Sequence, residues 1–373
     1  MLARLLIFLA IALAIFLPFN ILTYRQLVRL HPRRRRIVIA LVIAGNLVWP
    51  IIPFLQRSTA TLRLARAILG PIWFGWTSFA LMYSVALFLI LLAWIPFHRI
   101  PWTRFAKWPS RLFLWFILIG TIVGFYQAIV PLRIERMPVA IDNLPPALEG
   151  KHIALLADLH VGLFTRPSRL DQIFTTTASL HPDVVIILGD LIDDDPYFVP
   201  KLLRGTDTLP PSTPLYAVLG NHEMYGDPRR VIAELRGSRI HLLVNEGVVH
   251  GQMWIAGVSD FAARDANLRP DLAKALAPMP AGALPIIVAH QPRAFDDVRR
   301  RNLPLALVAH THGGQLGFRP LHLSLAGLFL RYHMGLYREG ASQLYVNTGT
   351  GYWLFPFRLG MTPEITLIEL RRR

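Results

Sequence analysis

The segment Leu305-Ala-Leu-Val-Ala-His-Thr-His-Gly-Gly-Gln315 joins a short apolar run to a histidine-rich motif. Five consecutive apolar residues followed by polar ones predict a buried strand. In open α/β sheets, ligand sites form beyond the carboxyl ends of the strands. We therefore expect this strand to carry His310 and His312 into a binding site, and Gly313 and Gly314 to let the backbone turn beneath it.

Four other predicted strands also end in residues that offer oxygen or imidazole ligands. They lead into Asp158-Leu-His160, Gly189-Asp190, Gly220-Asn-His-Glu223 and His290. Where two ligands stand two residues apart, their side chains share one face if the backbone stays extended. The predicted ligand set is Asp158, His160, Asp190, Asn221, His290, His310 and His312.

This set has the composition that a pair of divalent cations requires. Two such ions about 4 Å apart need a bridging carboxylate and several further ligands each. The chain contains no cysteine, which excludes thiolate zinc sites, iron–sulfur clusters and cysteine nucleophiles. Without thiolates, the donors suit manganese, iron or zinc.

The residues around these motifs have the pattern of an α/β domain. Amphipathic stretches at Pro167–Leu180 and Pro292–Arg301 lie between short apolar runs and predict helices. The eight predicted strands are Ile153–Ala157, Val184–Leu188, Leu215–Leu219, Trp254–Val258, Ile286–Ala289, Leu305–Ala309, Leu344–Val346 and Ile365–Ile368.

The N-terminal part has a different composition. The chain is 53% hydrophobic and carries a net charge of +16. Residues 1–140 hold 16 of the basic residues and a single acidic one, Glu135, whereas the remainder is nearly balanced. A nucleic-acid surface would need its basic patch on the folded domain, so we expect no nucleic-acid partner.

Four apolar runs without charged residues predict membrane spans, because each approaches the length that crosses a hydrocarbon core. The first lacks a small-residue cleavage site and predicts a retained helix rather than a removed signal peptide. Uncharged spans argue against a channel or transporter. The predicted spans are Leu5–Tyr24, Ile37–Leu55, Ala67–Phe97 and Leu112–Val130.

These runs predict three parts of the chain and a membrane orientation. A four-helix transmembrane anchor fills residues 1–130, a proline-containing linker fills 131–150, and the α/β domain fills 151–373. Loops 25–36 and 98–111 carry ten positive charges, against six on the opposite side. The positive-inside rule therefore favours a domain that faces outward.

Taken together, the ordered motifs D-x-H, GD, GNH-E, H and H-x-H resemble those of the calcineurin-like metallophosphoesterase superfamily. The resemblance covers about residues 151–370. Leu344-Tyr-Val-Asn-Thr-Gly349 and Pro363-Glu-Ile365 resemble its membrane-associated bacterial YkuE/YaeI-like branch. With the four predicted spans, we expect a multi-pass protein of the bacterial inner membrane. The glycine that usually precedes the H-x-H motif is Ala309 here.

The resemblance implies a two-sheet β-sandwich flanked by helices, with two metal sites. Asp158, His160, Asp190 and His312 would bind the first metal. Asp190 would also bridge to the second metal, which Asn221, His290 and His310 would complete. His222 would act on the substrate phosphate or the leaving oxygen, and Glu223 would orient His222.

The function implied is hydrolysis of a phosphoester or pyrophosphate bond by a metal-activated hydroxide, and a membrane lipid fits as partner or as part of the substrate. One alternative is a hydrolase of the lipid A pathway that resembles UDP-2,3-diacylglucosamine pyrophosphatase, which would need a cytosolic site. Another is a non-catalytic, metal-loaded sensor or scaffold. A histidine at position 222 that binds no metal argues against the sensor or scaffold, because a non-catalytic protein has no use for it.

Two further stretches allow more than one interpretation. The apolar residues of 316–330 predict either a core element or a lid that holds an acyl chain beside the metals. The acidic run Asp193-Asp-Asp195 predicts a solvated loop, with extra metal ligands as the alternative.

Overall fold

The computed structural model describes residues 17–47 and 60–373, which fall into two compact units, 1–122 and 123–373. The described part of the first unit is helical. Residues 17–30 form a helix. It is followed by α1 (Arg35–Leu47), α2 (Ala60–Trp94), α3 (Trp102–Phe105) and α4 (Lys107–Ile129), the last of which continues into the second unit.

Two of the described helical segments are long and apolar enough to cross a membrane. They are Ser78–Phe97 and Trp102–Ile129, and length and composition alone identify them. They correspond to the third and fourth predicted spans. The first two predicted spans, Leu5–Tyr24 and Ile37–Leu55, lie partly outside the described residues. A bundle of four spans therefore stays a prediction.

Polar side chains join the helix at 17–30 to α2 within the first unit. Thr23 Oγ1 donates to the carbonyl of Ala80 over 3.2 Å, and Ser84 Oγ donates to the carbonyl of Phe19 over 3.0 Å. Such hydrogen bonds between apolar helices are a usual means of holding membrane helices together.

Two six-stranded mixed sheets form the frame of the second unit. The first sheet has the strand order β1-β14-β2-β3-β4-β5 and the second has β12-β13-β9-β8-β7-β6, while β10 and β11 form a small hairpin. The strands are β1 (Arg133–Ile141), β2 (His152–Leu156), β3 (Val184–Leu188), β4 (Leu215–Val218), β5 (His241–Leu242), β6 (Glu246–His250), β7 (Met253–Gly257), β8 (Leu284–Val288), β9 (Leu305–Val308), β10 (Gly317–Phe318), β11 (Leu323–Ser324), β12 (Gly335–Glu339), β13 (Ser342–Val346) and β14 (Glu364–Arg372).

The central strands are apolar throughout because both of their faces are buried. In β2, Ile153 and Leu155 face the core between the sheets, whereas Ala154 and Leu156 face the helices outside. The same alternation in β9 places Leu307 in the core between the sheets. These runs therefore have no polar face, which is the pattern of a sheet covered on both sides.

Helices cover the outer face of each sheet. Against the first sheet pack α5 (Pro167–Ser179), α6 (Val199–Thr206) and α8 (Pro228–Arg236), and α9 (Leu272–Leu276) and α10 (Phe295–Arg300) pack against the second. The short helix α7 (Asn221–Tyr225) follows β4. This is the two-sheet sandwich flanked by helices that the sequence predicts for the second unit.

Residues 131–150 are not a free connector as far as the structure describes them. Within this segment β1 pairs in parallel with β14 over nine residues, so the segment belongs to the first sheet. The strand is hard to predict because its burial is mixed and charged residues and Pro138 interrupt it. An edge strand tolerates both, since one of its sides needs no sheet partner.

Candidate metal centre

The seven predicted ligands all follow the carboxyl ends of strands and meet between the two sheets. The first sheet supplies four of them through β2, β3 and β4, and the second supplies three through β8 and β9. Six of the seven are buried and His310 is half-buried. They are Asp158, His160, Asp190, Asn221, His290, His310 and His312.

A first group brings one ligand atom each of Asp158, His160, Asp190 and His312 within 4.8 Å of one another. His160 Nε2 lies 3.1 Å from His312 Nε2 and 3.6 Å from Asp190 Oδ2. His312 Nε2 also lies 3.8 Å from Asp158 Oδ1. Four donors that converge this closely suit one cation.

A second group consists of Asp190, His290 and His310, which also bring one ligand atom each within 4.8 Å of one another. His290 Nε2 lies 3.1 Å from Asp190 Oδ2 and 3.1 Å from the side-chain oxygen of Asn221. His310 Nδ1 lies 3.1 Å from the same nitrogen. The Nδ1 atom of His290 lies 2.8 Å from the carbonyl of Leu188, which fixes the ring orientation.

Asp190 belongs to both groups. The surroundings of the Asp158 carboxylate indicate that these side chains suit a metal ion. Asp158 is fully buried, yet neither of its carboxylate oxygens has a hydrogen-bond partner among the described residues. A buried carboxylate without partners is costly unless a cation compensates its charge. Together with imidazoles and an amide oxygen, this donor set suits a divalent metal.

The backbone at the site is strained. Five of the seven ligands have positive φ angles, a region that side-chain-bearing residues seldom adopt. The φ angles of Asp158 and His160 are 49° and 42°, so the extended geometry considered for these pairs is not present. Left-handed turns, rather than continued strands, aim the ligands inward. The other three ligands with positive φ angles are Asp190, His310 and His312.

Two glycines allow the loops to approach the ligands. A Cβ on Gly220 would collide with Asp190 Oδ1, and a Cβ on Gly189 would lie 2.8 Å from His290 Nδ1. Gly189 also has a φ of +87°. Both positions therefore require glycine for the carboxylate and the imidazole to reach the centre.

Charge and burial oppose one another at the centre. Burial raises the pKa of Asp158 to about 7 and lowers that of His160 to about 3. Burial also opposes a charged His290, but the Asp190 carboxylate outweighs it and raises the pKa of His290 to about 10. A cation bound at His290 would therefore displace a proton.

His222 lies beside the first ligand group, and an acidic loop holds its ring. His222 Nδ1 lies 2.6 Å from Asp194 Oδ1 and 3.7 Å from Asp193 Oδ1, and the ring centroid lies 4.5 Å from that of His160. Burial opposes the charged ring, but Asp190 and Asp194 outweigh it and raise the pKa of His222 to about 9. The solvated-loop interpretation is therefore wrong for Asp194, whose side chain is only 11% exposed.

Glu223 has a different set of contacts from those expected. Its fully buried carboxylate accepts from the backbone N–H groups of Ile192 and Gly220, over 3.0 Å and 2.7 Å. It caps α7 and ties the loop after β3 to the loop after β4. Among the described residues no hydrogen bond joins its carboxylate to the His222 ring, and Asp194 is the carboxylate that lies 2.6 Å from that ring.

Arg358 is a functional candidate that sequence reasoning missed. Its fully buried guanidinium lies 3.0 Å from His312 Nδ1 and also donates to the carbonyls of Thr348 and Gly351, each over 2.8 Å. Burial lowers the pKa of His312 well below its ordinary value, and the positive charge of Arg358 adds to this effect. The one available signal was a lone arginine in the apolar stretch 352–361.

The side chain of Ala309, at the position where glycine is usual, does not reduce the space at the metal centre. Its side chain is fully buried and belongs to the apolar core between the sheets. Its backbone N–H donates to the carbonyl of His290 over 2.9 Å. The methyl group that replaces the usual glycine hydrogen thus packs into the core.

Comparison with known proteins agrees with this geometry. Residues 151–314 match the family of calcineurin-like phosphoesterases. Residues 151–314 therefore form a domain of this family. A metallophosphoesterase of Helicobacter pylori is 32% identical over 250 residues, which cover 66% of this chain and 66% of that protein. The match thus spans just under two thirds of that relative.

Two further proteins are similar to this chain, one in sequence and one in structure. A transmembrane protein with a metallophosphoesterase domain from Danio rerio is 32% identical over 268 residues, covering 67% of this chain and 60% of that protein. A solved protein of Thermus thermophilus, TT1561, aligns over 54% of this chain and 90% of its own, with 13% identity and a TM-score of 0.37.

Proposed function

We propose that this chain is a membrane-anchored phosphoesterase that uses two divalent metal ions to hydrolyse a phosphoester or pyrophosphate bond in a lipid-linked substrate. The observation that carries the proposal is the position of Asp190 in both ligand groups. A carboxylate that belongs to both ligand groups is what two neighbouring cations would require, because it could hold both of them.

Each cation has its own set of ligands in this proposal. Bound cations would supply Lewis acidity that activates water and neutralises phosphate charge. The protein contributes rigid ligands on the ends of buried strands, so little reorganisation accompanies the reaction. The first cation takes Asp158, His160, Asp190 and His312, and the second takes Asp190, Asn221, His290 and His310.

His222 acts as the proton donor to the leaving oxygen. Because Asp194 engages Nδ1, the other ring nitrogen, Nε2, is the atom available to the substrate. Asp194 also stabilises the protonated ring, which is the form that a general acid needs. Trp353 and Tyr225 lie next to the His222 ring, with centroids 6.5 Å and 5.5 Å away, and border the space where a leaving group would sit.

The membrane part of the proposal rests on the candidate span Trp102–Ile129, which ends three residues before β1 begins. A catalytic unit so close to a membrane helix would meet substrates at the lipid surface. We retain the outward orientation as a prediction. UDP-2,3-diacylglucosamine stays a candidate substrate, and it would require the opposite orientation.

The test is a substrate panel offered to the detergent-solubilised, manganese-loaded full chain. Lipid and nucleotide phosphoesters, including UDP-2,3-diacylglucosamine, are incubated with it and the products are identified by mass spectrometry. We expect hydrolysis of a lipid-linked phosphoester, and loss of that hydrolysis in Asp190→Asn. The matched control is Asp171→Asn on the exposed face of α5.

The outcome of the panel also distinguishes the non-catalytic alternative. A chain that binds manganese yet hydrolyses none of the offered compounds would contradict an enzyme and favour the sensor or scaffold. Hydrolysis of soluble nucleotides without hydrolysis of any lipid would retain the phosphoesterase and contradict the lipid-linked substrate.

A further inference from the structure

The segment that follows the metal motif exposes an unusual density of large apolar side chains. Leu321, Leu328 and Phe329 are 65%, 75% and 80% exposed. Of the described residues in 316–330, only Ala326 is buried. The core interpretation of this stretch is therefore wrong. The remaining large apolar residues that are exposed are Phe318, Leu323, Leu325 and Leu330.

This exposed segment, residues 316–330, packs against residues next to the predicted metal ligands. A Cβ on Gly314 would lie 2.6 Å from the backbone nitrogen of Ala326, so the glycine turn after His312 packs directly on the segment. Arg319 forms an ion pair with the fully buried Glu364 and donates to Thr348 Oγ1. The apolar side chains are thus held in place beside the ligands.

The same segment is joined to the end of α4 through the loop 353–360. Gly317 N–H donates to the carbonyl of Leu359 over 2.9 Å, and Gly360 N–H donates to Gln127 Oε1 over 2.7 Å. The Phe125 ring lies 6.2 Å from that of Phe357. Residues 124–127, at the carboxyl end of a candidate membrane span, therefore adjoin the loop on which the exposed segment rests.

We propose that segment 316–330 lies in the boundary between the headgroups and the acyl chains of a phospholipid bilayer, so that the metal centre meets the phosphate of a lipid embedded in that bilayer. The inference rests on the proposed function and deepens it by naming the surface on which the substrate lies. Continuity with the end of α4 favours a bilayer over a protein partner, because that helix end would itself lie at a membrane boundary.

A basic residue stands at the edge of the segment, but its charge is already paired. Arg331 directly follows Leu330, its side chain is 71% exposed, and it forms an ion pair with Glu339 over 2.8 Å. The exposed apolar side chains, and not this arginine, therefore carry the proposal. The test includes phosphatidylglycerol, an anionic lipid, beside phosphatidylcholine so that a contribution of charge can be seen.

The absence of cysteine makes a direct test available. The full chain is reconstituted in nanodiscs of phosphatidylglycerol and phosphatidylcholine after a bimane label is attached to Phe329→Cys. The control is Val249→Cys on β6, which is 48% exposed on the edge strand opposite β12. We expect phospholipids brominated on their acyl chains to quench the label at position 329 and not at 249. Equal quenching by aqueous iodide at both positions, with no bromolipid effect, would overturn the proposal.

An activity ratio separates this inference from the proposed function. Wild type and the triple variant Phe318→Ser, Leu328→Ser, Phe329→Ser are assayed on a lipid phosphoester in nanodiscs and on a soluble aryl phosphodiester. We expect the ratio of lipid to soluble activity to fall about tenfold or more, since the apolar area buried in the bilayer is lost. Val249→Ser should leave the ratio unchanged.

The assay and the quenching experiment distinguish a failure of the bilayer contact from a failure of the proposed function. An unchanged ratio in the triple variant, with both substrates hydrolysed, would overturn the bilayer contact and leave the phosphoesterase standing. If wild type hydrolyses neither substrate while position 329 is still quenched by bromolipid, the proposed function fails and the bilayer contact survives.

Discussion

The guanidinium of Arg358 lies 3.0 Å from Nδ1 of His312, and the backbone N–H of the same arginine donates to the carbonyl of Gly124 over 3.0 Å. One residue therefore contacts both a predicted metal ligand and the end of α4. Arg358 is a positioning residue in this account, because it acts through His312 and not on the substrate.

Replacing Arg358 should weaken metal binding. In Arg358→Lys the charge stays, but the planar guanidinium that lies against the His312 ring and donates to the carbonyls of Thr348 and Gly351 is lost. We expect the affinity for manganese to fall about 10- to 100-fold, which is typical for partners of metal-binding histidines. Isothermal titration with manganese measures the effect, and Arg269→Lys on the exposed surface is the control. Unchanged affinity with a lower unfolding temperature would reduce Arg358 to a structural role.

Removing the imidazole of His222 should separate turnover from metal binding. Because His222 belongs to neither metal group in the proposal, His222→Ala should keep its metals and lose about 10²- to 10⁴-fold in kcat. Metal analysis and steady-state kinetics check both parts, with His241→Ala on β5 as the control. Unchanged turnover would remove His222 from the mechanism.

The acidic loop should matter through the same histidine. Asp194→Asn removes the carboxylate that lies 2.6 Å from His222 Nδ1. We expect kcat to fall on the order of tenfold or more while KM changes little, since general acid catalysis acts in the transition state. A larger change in KM than in kcat would indicate that Asp194 serves substrate binding instead.

A methyl group at Gly220 should disturb the shared carboxylate. The new Cβ would collide with Asp190 Oδ1, so Gly220→Ala should lower the metal content and cost about 1–3 kcal/mol in the free energy of unfolding. Gly237→Ala is the matched control, because its Cβ would meet its nearest atoms at an ordinary 3.6 Å. A variant that binds metal like wild type would show that the loop after β4 can move away without loss.

Chelation should destabilise the second unit. The buried carboxylate of Asp158 has no hydrogen-bond partner among the described residues, so removal of a bound cation should increase the cost of its burial. A ligand at about 100 times its Kd stabilises the folded state by about 2.7 kcal/mol. Thermal unfolding with and without EDTA measures the shift, which Asp158→Asn should diminish. An equal shift in wild type and Asp158→Asn would place the stabilising metal elsewhere.

Much of the second unit could be predicted from sequence because its central strands are buried on both faces. All eight predicted strands appear in the structure, since a continuous run of apolar residues is a strong local pattern, and five of these runs also lead into predicted ligands. The seven ligands converge for the same reason, as each follows a strand whose carboxyl end lies at the same edge. The role of each ligand stays part of the proposal.

The residues that sequence reasoning missed depend on contacts between distant segments. Strands β1, β6 and β12 lie at sheet edges, where mixed polar and apolar residues leave no continuous run. Asp194 was assigned to a solvated loop because nothing local shows that His222 approaches it. Arg358 stands 46 residues after His312, so only the tertiary structure reveals that they meet.

The most direct test of the shared carboxylate is the metal content of the manganese-loaded full chain, measured together with its electron paramagnetic resonance spectrum. We predict two manganese ions per chain with a spin-coupled spectrum, and in Asp190→Asn at most one ion without coupling. A wild-type protein that binds one uncoupled ion, or an Asp190→Asn variant that keeps a coupled pair, would contradict the account.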